Sequence, residues 1–309
     1  MGVHVGAGSS AIQIKRPLGE DPSSGNSAGD LYFNTTDNVY KFYDGSAWKV
    51  MSSETGYDGG IGDDPHYNSV SLHLKASEGI LGDLNNFQKG CMDLSRWGQT
   101  VTEAPSVQID TTQTKFSDGA FKLDSTDGTQ RYMRITNTTN EGIKMRTEQF
   151  TWEMWLYINS SNSNVDANYR IWQVGANSTG GMFFGYNSSN LYFGRTDESF
   201  MSHARSNYND QWVHVAIVRD SGSLRWFRNG VQVATYSGSA WNWDMNNSGD
   251  LYLGLYPGQL NSRRNGIRFD DFRITVSVAR YTSSGFTAPG KLPQYRQDTT
   301  TLGTRSNPA

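Results

Sequence analysis

One stretch of 25 residues, Gln211–Thr235, constrains the fold more than any other part of the chain. Residues 212–219 are rich in β-branched and aromatic side chains on both alternating sets, which is typical of a central strand that is packed on both faces. Two further strand-like runs, 224–228 and 231–235, flank Asn229-Gly230. This dipeptide favours a two-residue type I′ turn, because both turn positions need φ > 0. The stretch therefore predicts an antiparallel β-meander.

Similar runs recur throughout the chain from Tyr67 onwards, at regular spacing and without a helical pattern between them. Such spacing predicts an all-β fold, an antiparallel two-sheet sandwich or jelly roll. The predicted strands lie within residues 67–79, 97–104, 106–110, 115–124, 131–136, 150–159, 169–175, 181–187, 191–196, 212–235, 250–256 and 267–276.

The composition agrees with this fold class. The 309 residues include 33 glycines, aromatic residues make up 13% and charged residues only 18%. Basic side chains number 27 against 30 acidic ones, so we expect no strongly basic face and no nucleic-acid partner. The single cysteine, Cys91, cannot form an internal disulfide. We expect neither a secretory signal nor membrane insertion, since no apolar run suits either.

The first part of the chain forms a small unit of its own. Residues 31–43 contain two short strands around a polar turn, and Asp44-Gly45 supplies another turn before Trp48. Two or three strands cannot bury enough apolar surface to be stable alone, so we expect this unit to pack on another copy of itself or on a different protein. The candidate attachment and oligomerisation residues are apolar or aromatic: Ile12, Ile14, Leu31, Phe33, Tyr40, Phe42 and Trp48.

The sequence divides into four parts: an N-terminal attachment module (1–53), a Gly- and Asp-rich linker (54–66), the sandwich with its small appendages (67–293) and a polar tail (294–309). Asp58, Asp63 and Asp64 bring oxygen ligands close together in the linker. Their spacing lacks the alternating D-x-D-x-D-G pattern and the terminal Glu of a calcium loop. We therefore expect a solvated linker and no cofactor, and a calcium loop is the alternative that stays open.

Two parts of the chain resemble known families. IQIKR, GDLYFNTT and KFYDGSAW, between Ile12 and Trp48, resemble the N-terminal attachment or trimerisation module of tailed-phage fibre and virion-appendage proteins. SVSLHL, KFSDGAFKLD, FTWEMWLYIN, QWVHVAIVR, LRWFRNGVQVAT and IRFDDFRITV, between Tyr67 and Pro293, resemble the laminin-G-like, concanavalin-A-like lectin/glucanase sandwich. That family often carries H-F-D-G after its first strand, where this chain has HLKASEG, so no metal or ligand role is carried over to this place.

Some sandwiches of the second family hydrolyse glycosidic bonds with two carboxylates placed on opposite sides of the bond. The strand motif E-x-D-x-x-E that usually supplies both is absent, since Glu153 has no acidic partner two residues on. Asp270 and Asp271 are adjacent and should point to opposite faces. We expect one to be buried and the other to lie at the surface against Arg268 or Arg273. The sequence therefore predicts no enzyme.

The histidines do not form a metal site in the sequence pattern. His4, His66, His73 and His203 show no ligand spacing relative to one another or to Cys91. His214 lies in the central strand of the meander and resembles the histidine of laminin-G-like domains. We interpret it as a structural residue, bonded to the backbone or to a carboxylate, and we expect the neighbouring Trp212 to be core.

Two turn-rich segments after the meander, 237–250 and 256–266, favour a ligand site. Lectin sites stack sugars on exposed aromatic rings and add a few polar groups that fix the orientation. The candidate ligand-binding residues are Trp241, Trp243, Asp244, Asn246, Asn247, Tyr256 and Arg263. The alternative is that Trp241 and Trp243 cap the core or fill a subunit interface, where aromatic anchors are common.

These features indicate a structural protein of a tailed-phage virion, in a tail fibre, head fibre or capsid decoration. The N-terminal module would join the protein to other virion proteins or to copies of itself, most simply as a homotrimer. The sandwich would be exposed on the particle and bind host-surface glycan or a neighbouring virion protein, with avidity from many copies. Two alternatives stay open: a carbohydrate-active enzyme or its polysaccharide-binding module, and a bacterial surface adhesin.

Overall fold

The chain divides into two compact units, Met1–Asp63 and Asp64–Ala309. No helix among the described residues is long and apolar enough to cross a membrane. The computed structural model describes residues 17–36, 39–43, 45–50, 64, 66, 69–76, 95, 101–103, 106–116, 119–124, 131–136, 143, 145–161, 169–175, 181–195, 198–239, 242–244, 249–257, 266–282 and 285–290.

The first unit contains a three-stranded sheet of β1 (Leu31–Asn34), β2 (Val39–Tyr43) and β3 (Trp48–Val50), in that order. Leu31 pairs with Phe42, and Phe33 pairs with Tyr40. Directly paired residues of antiparallel strands point to the same side, so these four side chains share one face of the sheet. Tyr40 is 61% exposed and the other three are half-buried. The four residues define what we call the β1–β2 apolar face.

The opposite face of this sheet is covered by the loop that precedes β1. Tyr32 is buried, its hydroxyl donates a hydrogen bond to Asp21, and its ring meets that of Trp48 at a centroid distance of 4.8 Å. The indole nitrogen of Trp48 donates to the carbonyl of Pro22 at 3.0 Å. Hydrogen bonds from Lys41 and Tyr32 lower the pKa of Asp21. Trp48 therefore lies inside the unit, on the other side from the β1–β2 apolar face, and Ile12 and Ile14 lie outside the described residues.

The second unit is a sandwich of two antiparallel sheets, which confirms the predicted fold class. One sheet has the order β16-β15-β14-β9-β18-β7-β6, with β4 also paired to β18, and the other has the order β13-β12-β11-β10-β17-β8-β5. Their strands are β4 (Val70–Leu74), β5 (Val101–Glu103), β6 (Gln108–Asp110), β7 (Ala120–Lys122), β8 (Met133–Ile135), β9 (Phe150–Ile158), β10 (Tyr169–Val174), β11 (Met182–Tyr186), β12 (Asn190–Arg195), β13 (Glu198–Ala204), β14 (Trp212–Arg219), β15 (Leu224–Arg228), β16 (Val231–Tyr236), β17 (Leu251–Leu253) and β18 (Ile267–Val276).

The hydrophobic core lies between the two sheets. Trp152 of β9 meets Trp172 of β10 with ring centroids 4.4 Å apart, and Trp226 of β15 meets Phe184 of β11 at 5.1 Å. All four side chains are at most 2% exposed. Each of these pairs joins one sheet to the other, so alternating inward residues of both sheets build one core.

The predicted meander is confirmed as β14, β15 and β16, with β14 inside its sheet. Asn229 and Gly230 have φ values of 48° and 80°, as the type I′ turn requires. The side-chain oxygen of Asn229 accepts a hydrogen bond from the backbone nitrogen of His214 at 2.8 Å. Strand β13 was not predicted, because ESFMSHA is largely polar and lies at the edge of its sheet.

Gly230 also supports a contact that lies outside the meander. The backbone nitrogen of Phe286 donates to its carbonyl at 2.8 Å, and a Cβ atom at this position would lie 1.8 Å from the carbonyl oxygen of Phe286. Only glycine therefore fits both the turn and the segment that crosses it.

We expect Gly230→Ala to lower the free energy of unfolding by about 2–4 kcal/mol, since the substitution strains a positive φ and forces two backbone segments apart. Urea unfolding followed by tryptophan fluorescence measures this change. Gly222→Ala is the matched control in the same meander, because the nearest atom to its Cβ lies 4.0 Å away. Equal stability of the two variants would contradict the assigned contact.

Candidate binding surface

The loop residues predicted to bind a ligand do not form one exposed site among the described residues. Trp243 is 9% exposed and belongs to the core, where its ring lies 5.2 Å from that of Phe200. Its carbonyl accepts a hydrogen bond from Arg219 Nη1 at 3.1 Å. Trp243 thus caps the core, as in the alternative interpretation, and Asp244 is exposed beside it. The candidates outside the described residues are Trp241, Asn246, Asn247 and Arg263.

The outer face of the eight-stranded sheet contains a buried charge cluster around Glu153. Its Oε1 accepts hydrogen bonds from Arg273 Nε at 2.9 Å and Nη2 at 2.7 Å. Its Oε2 accepts one from the Tyr281 hydroxyl at 2.7 Å and lies 3.2 Å from His214 Nε2. Burial opposes ionisation of Glu153, but Arg273, His214 and Arg280 outweigh it and hold the pKa of this carboxyl well below its usual range.

His214 is fully buried beside Glu153, which is the contact expected for a structural histidine. Trp212, expected to be core, is only half-buried, and its ring lies 5.7 Å from that of Tyr157.

Asp64 completes the charge cluster, which corrects its assignment to a solvated linker. Arg280 donates to both of its carboxylate oxygens, at 2.9 and 2.7 Å, and Arg273 Nη1 donates to Oδ2 at 3.1 Å. Asp64 is only 8% exposed. Its pairing was invisible in the sequence because both arginines lie more than 200 residues away. Asp58 and Asp63 lie outside the described residues.

Asp270 and Asp271 are both buried, so the expected surface carboxylate is wrong. The pairing of β18 with β9 shifts between Asp270 and Arg273, and Asp271 has φ 49°, which indicates a bulge that turns the alternation of side chains. Asp271 Oδ1 lies 3.2 Å from His73 Nε2 and 3.3 Å from Lys75 Nζ. Burial, followed by the neighbouring Asp271, raises the pKa of Asp270.

The arginines predicted to pair with these aspartates bind other carboxylates. Arg268 Nε donates to Asp110 Oδ2 at 2.6 Å and its Nη1 donates to Asp124 Oδ2 at 3.1 Å, while Arg273 binds Glu153. Within the described ranges, no group of three or more His, Cys, Asp or Glu side chains is arranged to hold a metal ion.

The outer face of the seven-stranded sheet is different, because it places aromatic rings and cations side by side. Register puts Arg134 of β8, Tyr252 of β17, Gln173 of β10 and Phe183 of β11 in one row. The next row pairs Arg170 with Gly185 and Gly185 with Tyr192. The residues that we call the aromatic–cationic face are Arg134, Arg170, Gln173, Phe183, Tyr192, Tyr252 and Tyr256.

Arg170 lies at the centre of this face and is 6% exposed. Its Cζ atom lies 3.8 Å from the ring centroid of Phe183, 4.6 Å from that of Tyr256 and 5.9 Å from that of Tyr192. Its Nε donates to Gln173 Oε1 at 3.0 Å. Burial lowers the pKa of the Arg170 guanidinium and raises the pKa of the Tyr192 hydroxyl.

The rim of the aromatic–cationic face is half-exposed. Tyr192, Tyr252, Tyr256 and Arg134 are half-buried, whereas Phe183 and Gln173 are buried. Arg134 is fixed by Asp250, whose Oδ2 lies 2.7 Å from its Nε and 2.6 Å from its Nη2. Among the predicted site residues that the structure describes, only Tyr256 lies here. An arginine inside a strand rich in apolar and aromatic residues was the available signal for Arg170.

Comparison with known proteins agrees with this architecture. Residues 127–278 match the model of the concanavalin A-like lectin/glucanases superfamily, Laminin_G_3. The sandwich has a concanavalin A-like fold. The laminin-G-like resemblance is thereby supported, while the phage resemblance of the first unit stays a prediction. Comparison with curated proteins gives no match.

Several solved binding domains have a similar fold. They include the binding domain of Paraclostridial Mosquitocidal Protein 1 (TM-score 0.52, 16% identity, 71% of this chain and 50% of that chain). For the botulinum neurotoxin serotype D ligand binding domain in complex with N-acetylneuraminic acid, the TM-score is 0.52 and the identity is 15%. The match covers 71% of this chain and 49% of that chain. For the receptor binding domain of the botulinum neurotoxin C/D mosaic serotype, the TM-score is 0.53 and the identity is 16%. That match covers 71% of this chain and 49% of that chain. This chain thus spans about half the length of each, and at such identities the similarity concerns the fold.

The charge cluster predicts a distinct pH dependence for Glu153→Gln. Removing one partner of a buried ion pair leaves the other charge uncompensated, so the free energy of unfolding should fall by about 3–5 kcal/mol at pH 7. The pKa of Glu153 is lower in the folded protein than the ordinary 4.5, so its contribution is fully present above that pH and is lost as the pH falls below it. The stability gap between wild type and variant should therefore narrow from pH 5 to pH 3.5.

Urea unfolding at each pH measures this gap. Glu198→Gln is the control, because Glu198 is an exposed residue with a 3.6 Å pair to Arg195 and the change should stay within about 0.5 kcal/mol. A Glu153→Gln gap that is equally wide at pH 3.5 and pH 7 would show that the carboxylate charge is not what stabilises the cluster.

Proposed function

We propose that the chain is a non-catalytic binding protein of a tailed-phage virion, and that the aromatic–cationic face of its sandwich binds saccharide. The observation that carries the binding function is the row of Arg134, Tyr252, Gln173 and Phe183 across four strands. Sugars present apolar ring faces that stack on aromatic side chains and hydroxyl groups that need a few well-placed polar partners. The half-exposed members of this row, Tyr252 and Arg134, supply both kinds of group on rigid strands. The solved domains of similar fold, titled as ligand- or receptor-binding, support the same class of function.

A saccharide that binds here should depend on Tyr252, which is half-exposed in the middle of the row. Binding of the full chain to an array of bacterial surface saccharides tests the proposal, followed by titration of each saccharide that binds. Tyr252→Ala should weaken binding about tenfold, equivalent to about 1.4 kcal/mol.

The control variant is Val231→Ala on β16 of the other sheet, an exposed position that should bind as wild type does. If Tyr252→Ala binds the saccharide as tightly as wild type does, the site lies elsewhere on the protein. If the full chain binds no saccharide, the proposal is wrong. Release of new reducing ends from the bound saccharide would instead support a carbohydrate-active enzyme.

The first unit is proposed to attach the protein to the virion and to join copies of the chain, most simply three. The β1–β2 apolar face supports this role, because one face of the small sheet is covered by its own loop while Leu31, Phe33, Tyr40 and Phe42 keep exposed apolar surface. A three-stranded sheet of this size gains stability when such a face is buried against a partner. Mass spectrometry of purified phage particles should find the chain among the structural proteins.

The double variant Phe33→Ser/Tyr40→Ser should convert the oligomer into single chains, since it removes the cross-strand ring pair whose centroids lie 4.9 Å apart. Light scattering coupled to size exclusion measures the mass. Val231→Ser is the matched control, because Val231 is equally exposed, at 61%, but lies on β16 of the sandwich. A wild-type protein of monomer mass, or an oligomer that survives the double substitution, would contradict this role.

A further inference from the structure

Arg170 differs from Arg273 and Arg219, two other buried arginines of the sandwich, in how its charge is balanced. Arg273 faces the carboxylates of Glu153 and Asp64. All three guanidinium nitrogens of Arg219 donate to backbone carbonyls, at 2.6–3.1 Å. Arg170 instead has neutral partners: its Nε donates to the amide of Gln173, and its guanidinium also hydrogen-bonds the Tyr192 side chain.

Part of the hydrogen-bonding capacity of Arg170 is not used by the described part of the protein. Its Nη1 is buried and has no acceptor there, and no described carboxylate lies within ion-pair distance of its guanidinium. A buried cation without a counter-ion is costly, and the lowered pKa of Arg170 reflects this burial. Stacking on Phe183 and Tyr256 compensates part of the cost.

The local sequence favours this arrangement of Arg170. Its cross-strand partner is Gly185, where a Cβ atom would lie 3.3 Å from Arg170 Nη1 and 2.2 Å from the carbonyl oxygen of Tyr169. Glycine therefore leaves room for the guanidinium to lie along the sheet. Rings that stack on a guanidinium occupy its faces and leave its in-plane N–H groups for an acceptor, which is the geometry of carboxylate recognition.

We infer that Arg170 is an anion-binding residue of the aromatic–cationic face, and that the ligand is an acidic saccharide whose carboxylate pairs with this guanidinium. The inference rests on the proposed saccharide binding. The half-buried Tyr256 ring covers Arg170 and moves aside to admit the carboxylate, while the half-exposed Tyr252 stacks on a sugar ring. Uronic acids and sialic acids both carry the required group next to a sugar ring.

The experiment compares each carboxylated saccharide that binds the full chain with the same saccharide after chemical reduction of its carboxyl to an alcohol. Wild type should bind the reduced form about ten- to a hundredfold more weakly, since a hydrogen bond to a charged group is lost. Arg170→Gln should lose a similar factor for the carboxylated form and bind the reduced form as wild type does. Arg170→Lys, which keeps the charge without the planar fork, should fall between them.

Arg225→Gln is the control for net charge, because Arg225 pairs with Asp220 on the other sheet and should leave binding unchanged. If the Arg170 variants unfold at a lower temperature than wild type, the affinities of wild type for the carboxylated and the reduced saccharide decide the question. Equal affinity for the two forms of a saccharide, or an array that retains only neutral saccharides, overturns the inference and leaves the proposed function standing. An array on which nothing binds overturns both.

Discussion

A buried ion pair between Glu153 and Arg273 joins the two longest strands of the sandwich, β9 and β18, at directly paired positions. Neither charge is tolerable alone in such a place, because the cost of an unpaired buried charge exceeds the gain from most single contacts. Both side chains of the ion pair therefore form further hydrogen bonds. Arg273 reaches Asp64 at the start of the second unit, and Glu153 accepts the hydroxyl of Tyr281 after β18. The ion pair thereby holds Asp64, from before β4, and Tyr281, from after β18, at the same outer face of the sandwich.

The two outer faces of the sandwich consequently have different chemistry. On the eight-stranded sheet, the buried carboxylates of Glu153 and Asp64 are balanced by Arg273 and Arg280, so the cluster has a structural role. On the seven-stranded sheet, Arg170 is stacked on rings without a described carboxylate, and its surroundings include half-exposed tyrosines. Rigid strands hold those groups in register, which favours recognition of a ligand over adaptation to it. This contrast is why we assign binding to the second face.

Local sequence signals predicted the local structure well and the site poorly. The meander at Gln211–Thr235 followed from alternation and from the Asn-Gly turn, both of which act between near neighbours. The burial of Asp271 did not, because a bulge breaks the alternation on which the expectation depended. Trp243 was open to two interpretations, a sugar site or a cap on the core, and its contacts with Phe200 and Arg219 place it in the core. Arg170 was overlooked because its meaning depends on rings brought in by other strands.

The central claim is that saccharide binds on the aromatic–cationic face and not at the loop that contains Asp244. A crystal structure of the full chain grown with a saccharide that it binds tests this most directly. The account predicts sugar density over Tyr252, with an acidic group within hydrogen-bonding distance of Arg170. Density confined to the surroundings of Asp244, with the aromatic–cationic face unoccupied, would contradict it.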